Sequence, residues 1–98
     1  MKREKIFEIT LEKDEDEELF WEGLERACER RGWKIWDLTD METSWYALPS
    51  SAHDGHGIGV QEIIVKDKKT GEELTLARVT EFFYGTRYET VYFIVEED

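Results

Sequence analysis

Residues 14–32, DEDEELFWEGLERACERRG, decide how the rest of the chain is read. Phe20, Leu24, Ala27 and Cys28 recur at i, i+4, i+7 and i+8, with Trp21 beside them. That spacing is the apolar stripe of an amphipathic helix. Glu18, Glu22, Glu25 and Glu29 fall on the opposite side. Glu15 to Glu18 load the start with acid and Arg26, Arg30 and Arg31 load the end with base, the polarity that the helix dipole favours. Asp14 or Asp16 can cap the first turn, and Gly32 stands where a left-handed residue closes the last one. Leu19 lies off the stripe. Gly23 costs ~1 kcal/mol relative to Ala in mid-helix, a cost that close approach of a strand or ring would explain.

Around this helix the chain reads as strands. In KIFEITL (5–11), Phe7, Ile9 and Leu11 alternate with Glu8 and Thr10, and Ile6 breaks the alternation. WKIWDL (33–38) puts Trp33 and Ile35 on one face and Trp36 and Leu38 on the other. TDME (39–42) interrupts the pattern, either as a hairpin turn or as a bulge in one bent strand. TSWYALP (43–49) is extended up to its proline. SSAHDGHG (50–57) reads as an irregular loop. IGVQEIIVKD (58–67), LTLARVTEFF (74–83) and YETVYFIVE (88–96) are further strands, separated by the KKTGEE and YGTR turns with Gly71 and Gly85. In the last, Val91, Phe93 and Val95 share a face. The expected fold is α+β: one long helix on a curved antiparallel sheet of four to five strands, in the order β-α-β-β-β(-β), within a single domain spanning 1–98.

Composition narrows the function classes. The net charge of −11 opposes binding to a nucleic-acid backbone or an anionic membrane and favours a basic protein partner. A single cysteine, Cys28, excludes an intrachain disulfide and a Cys cluster; on the apolar stripe it reads as a small buried hydrophobe. No apolar run approaches the ~18 residues of a membrane span. The start of the chain lacks a secretory signal pattern, and a cytoplasmic location is expected.

His53 and His56 are the candidate metal ligands. Their spacing in a Gly-rich loop allows both imidazoles to reach one zinc or copper ion, with Asp37, Asp40 or Glu42 as a third ligand. A plain solvent loop is the competing reading. Gly55, Gly57 and Gly59 are followed by a strand pattern rather than a helix, so they do not form a phosphate loop. No cofactor is expected and no catalytic residue is assigned. Glu62 and Glu81 stand on neighbouring strands with Arg78 and Arg87, where cross-strand ion pairing competes with acid–base chemistry. The rings of Trp33, Trp36, Trp45, Tyr46, Tyr84, Tyr88 and Tyr92 either pack between helix and sheet or line an open sheet face.

The order strand–helix–strands resembles cystatin-like and monellin-like folds, although Gly59-Val60-Gln61 does not match the cystatins' inhibitory QxVxG loop. In composition the chain is similar to small acidic nuclease inhibitors, including anti-defence and immunity proteins. That resemblance implies a non-catalytic interaction protein whose row Glu18, Glu22, Glu25 and Glu29 occupies a cationic groove, as nucleic-acid mimics do. Two other readings are open. One is a ligand- or metal-binding protein or small enzyme using the His53/His56 loop. The other is a designed scaffold, since the Glu-rich helix and the KKTGEE turn resemble idealised designed proteins.

Overall fold

The computed structural model describes residues 2–12, 17–48, 51–83 and 85–95, with backbone alone at 45–48 and 51–55. Strand β1 (Lys2–Glu12) leads to helix α1 (Glu18–Glu29), followed by β2 (Trp33–Leu38), β3 (Glu42–Leu48), β4 (Ser51–Asp67), β5 (Glu73–Phe83) and β6 (Thr86–Val95). All strands belong to one antiparallel sheet ordered β1-β6-β5-β4-β2, and β3 also pairs with β4. The sheet therefore has six strands rather than the four to five expected.

The extra strand comes from the break at 39–41. Trp33–Leu38 pair with residues 63–67 of β4, and Glu42–Leu48 pair with residues 51–60 of the same strand. Strands β2 and β3 are thus two lengths of one edge, so the break is an interruption in a long bent strand and not a hairpin turn. Thr39 bridges it. Its amide donates to the Glu62 carbonyl at 3.0 Å and its hydroxyl accepts from the Glu62 amide at 3.0 Å. Gln61 Nε2 donates to the Thr39 carbonyl at 2.9 Å.

The second correction concerns 50–57. Leu48 is paired with Ser51, Tyr46 with His56 and Trp45 with Gly57, so Ser51–Gly57 is the first part of β4 and not an irregular loop. Cross-strand pairing on a long neighbour has overridden the weak strand propensity of a Gly- and Ser-rich stretch.

Helix α1 lies on one face of the sheet. Its Phe20, Leu24, Ala27 and Cys28 are buried, and Phe20, Leu24 and Cys28 join Leu11, Trp33, Ile63, Val65, Leu76 and Val91 in the core. Twelve residues make a helix ~18 Å long. The seventeen of β4 run for ~56 Å, so the helix covers only part of the sheet. Gly23 is needed where the two layers touch: a Cβ there would stand 2.4 Å from Phe7 Cζ. The exception at Ile6 is a register shift between Lys5 and Phe7, which restores Phe7, Ile9 and Leu11 to the core side.

The turns follow the local chemistry. Gly32 and Gly71 both adopt φ 75°, a left-handed conformation that a side chain would strain. In the β4–β5 turn Asp67 accepts from the backbone amides of Lys69 and Thr70 at 2.8 and 3.1 Å. Those two bonds, Thr70 first, hold its carboxyl below the usual range.

Candidate functional site

The outer side of α1 carries Glu18, Glu22, Glu25 and Glu29, all exposed and all opposite the core stripe. The helix is shorter than 14–32: Arg30 is its C-cap and Arg31 lies beyond it. Asp14 and Asp16, the expected caps, lie outside the described residues. The N-cap is Glu17, with helical φ −60 and ψ −18 and no side-chain cap bond. Among the four glutamates, Glu22 meets Arg26 at 3.8 Å, with the two side chains 56% and 71% exposed, a pair worth ~0.3–0.5 kcal/mol at most. Glu25 and Glu29 border a shallow groove of ≈ 400 Å³ whose other wall includes Lys34 and Lys68.

A second constellation lies between the helix start and the sheet. Arg78 is 2% exposed and Glu89 is 1% exposed. Arg78 Nε donates to Glu89 Oε1 at 3.1 Å and Nη2 donates to Glu89 Oε2, forming a two-pronged pair. Nη1 donates to Gln61 Oε1 at 3.0 Å, and Nη2 also donates to Glu17 Oε1 at 2.8 Å. Thr80 Oγ1 donates to Glu89 Oε1. The guanidinium carbon stands 3.9 Å from the Phe20 ring centroid. Glu17 thus makes no side-chain cap bond to its own helix and turns its carboxylate to a buried cation. Burial opposes the charge on Arg78, but the hydrogen bonds it donates to Glu89 and Glu17, with their negative charges, outweigh it and raise its pKa above the ordinary value.

Register explains the cluster. Gln61 is directly opposite Arg78, and Glu89 is directly opposite Thr80. All four side chains are on the helix side of the sheet. Glu62 and Glu81 are not with them: they pair with Ala77 and with Ile58 and Tyr88, on the opposite face. The expected partnership of Glu62 and Glu81 with Arg78 and Arg87 is therefore corrected, because odd and even positions of a strand face opposite ways. The real carboxylate, Glu89, had a signal. It continues the Val91, Phe93, Val95 alternation two residues back, onto the core side.

Continuing that alternation further reaches Arg87. Its Nε and Nη2 are buried and have no hydrogen-bond partner among the described residues. Glu89, two residues along the same strand, is already committed to Arg78.

The remaining candidates are placed as follows. The His53 side chain lies outside the described residues. His56 sits in β4 with its ring edge-on to Phe83 at 5.0 Å. Among the described residues no group of three His, Cys, Asp or Glu side chains could hold a metal ion. Burial pushes the Cys28 thiol up to about 11, with Arg31 pulling it down and Glu25 adding to the rise. It is a protonated core residue at neutral pH, not a reactive thiol. Trp33 is buried, while Trp36 and Tyr88 are 55% and 44% exposed. The side chains of Trp45 and Tyr46, and all of Tyr84, lie outside the described residues. Among the described residues no helix is long and apolar enough to cross a membrane. Comparison with protein-family models, with curated proteins and with solved structures finds no match to this chain.

Proposed function

We propose that the chain is a non-catalytic protein that binds a basic partner, with Glu18, Glu22, Glu25 and Glu29 as its electrostatic contact. The observation that carries the reading is the exposure of all four glutamates in one row, on the helix side that the core does not use. Helix stability does not require that row. The buried cluster supports the non-catalytic part. Arg78 and Glu89 are closed off from solvent and engaged with each other, so they offer no accessible acid or base.

Charge density narrows the partner. From Glu18 to Glu29 the row spans ~16 Å of helix axis, about one charge every 5 Å. Duplex DNA carries one per ~1.7 Å and a single strand one per ~3.4 Å. The row is too sparse to stand in for a duplex by itself and suits a cationic groove with separated Lys or Arg side chains. An inhibitor of a nuclease or nucleic-acid-handling complex, anti-defence or immunity-like and acting in the cytoplasm, is the setting in which such a groove occurs. The helix laid on one face of an antiparallel sheet supports a cystatin- or monellin-like layout as part of the same proposal.

The test is charge reversal. Glu18, Glu22, Glu25 and Glu29 are changed together to Lys, and folding is verified by circular dichroism. Basic proteins retained by the native chain are expected to be lost. Equal retention of the same proteins by both forms rejects the reading.

A further inference from the structure

The face of the sheet opposite α1 carries a strip of exposed apolar side chains. Alternation and register place Ile58, Val60, Val79, Phe83, Tyr88 and Tyr92 together on it. Val60 is 46%, Tyr88 44%, Phe83 38% and Ile58 37% exposed. Solvated faces of antiparallel sheets are normally polar, so an apolar strip here, broken by Glu81 and Thr90, marks an interaction surface. Strands lie ~4.8 Å apart and rise ~3.3 Å per residue. From the Phe83 row to the Tyr92 row, across three strands with their margins, the strip covers ~20 by ~14 Å, an apolar centre that a partner would extend over the neighbouring strands to reach the ~800 Å² of a stable interface.

The charges on this face select the occupant. Glu81 sits inside the strip, paired with Ile58 and Tyr88, and Glu62 follows beside Ala77. Glu42 and Glu8 stand at its sides, opposite Val60 and Thr90. Three of the cations on this face are engaged, and Lys34, opposite Lys66, stands at the far end of β4 from the strip. Lys5 pairs with Glu8 at 3.2 Å, Lys66 sits 3.8 Å from the Trp36 ring centroid, and the Arg3 guanidinium lies 4.8 Å from that of Tyr92. A second copy of the chain would press these carboxylates against their own kind. A partner that is apolar and cationic would bury the strip and pair with Glu81 and Glu62.

We infer that this sheet face is the seat of an apolar, cationic protein surface such as a basic amphipathic helix. The inference rests on the reading that the partner is basic. It assigns to the sheet an apolar contact area that the helix row, on the other side of the molecule, lacks.

The probe is a synthetic amphipathic helical peptide with one leucine face and one lysine face, titrated into the full chain and followed by amide chemical shifts. Shifts concentrated on outward residues of β4, β5 and β6 are expected. Val60→Ser with Tyr88→Ser, which removes apolar area and no charge, is expected to weaken binding about tenfold or more. Shifts confined to α1, with binding lost only on reversal of the four helix glutamates, overturn the sheet-face inference and leave the basic-partner reading standing. No saturable binding by the native chain overturns both. A concentration-dependent dimer in sedimentation that Val60→Ser dissolves also overturns the inference, in favour of a second copy.

Discussion

The face of the sheet beneath α1 has two halves that are equally buried and chemically opposite. In one, Ile63, Val65, Leu76 and Val91 meet Leu24 and Cys28. In the other, Gln61, Arg78, Thr80 and Glu89 stand on the same strands two residues further along. The apolar half is stabilised by area removed from water and tolerates exchange of one hydrocarbon for another. The polar half is stabilised only while every member keeps its partner, since each ion carries a desolvation cost of several kcal/mol. Equal burial thus conceals different fragility. The polar half also constrains register: sliding β5 past β6 by one residue would move Glu89 to the wrong face.

The sharpest way to break the contrast is Glu89→Ala. It leaves Arg78 buried beside Glu17 and Gln61 alone, and a loss of ~3–5 kcal/mol is expected in urea unfolding. The double variant Arg78→Met with Glu89→Leu is expected to recover that loss or exceed native stability by ~1–4 kcal/mol. A double variant as unstable as Glu89→Ala would show that the pair is a net contributor. In the apolar half Leu24→Ala is expected to cost ~2–5 kcal/mol, with no second change that restores it except a refilled cavity. Gly23→Ala tests the contact between the layers. The helix propensity gain of ~1 kcal/mol is set against displacement of the Phe7 ring, and ~1–3 kcal/mol of overpacking leaves the variant less stable than native. Arg87→Met removes a fork with two unpartnered nitrogens and is expected to be neutral or stabilising by ~1 kcal/mol. Clear destabilisation would show that the guanidinium is satisfied after all.

The smallest effect is alkaline. Cys28 has its pKa raised from 9.0 to about 11 in the folded chain. The unfolded chain releases this proton first, so the contribution to stability is complete below pH 9 and is lost as pH rises toward 11. Unfolding midpoints should fall across that window in the native chain, and the fall should be smaller in Cys28→Ala.

Much of this architecture was legible in the residues. Phe20, Leu24, Ala27 and Cys28 are the buried stripe that their spacing describes, and Leu19 is 44% exposed as its off-stripe position requires. The irregularity at Ile6 marked a real register shift. The turns at Gly71 and Gly85 were announced by glycines that take φ 75° and 81°. Residues 51–57 were misread because Gly, Ser and His carry little strand preference, and the pairing that makes them a strand is with β3 and not with themselves. In LTLARVTEFF, both alternating sets contain apolar residues, so the inward direction of Arg78 had no local signature. Of the proposed site, the helix row followed from the 3.6-residue period alone. The apolar sheet face required knowing which strands are neighbours.

By itself, the sequence determined the helix, the direction of its charge, the faces of its clearest strands and the glycine turns. Each depends on residues within a few positions of one another, where periodicity and backbone sterics act. Only the tertiary structure decided that β1 runs beside β6, that β2 and β3 share one edge of β4, and that Arg78 is neutralised by Glu89 and Glu17. Those partners lie 11 and 61 residues away along the chain. A buried charge takes the nearest carboxylate in space, and nearness in space is a property of the assembled sheet.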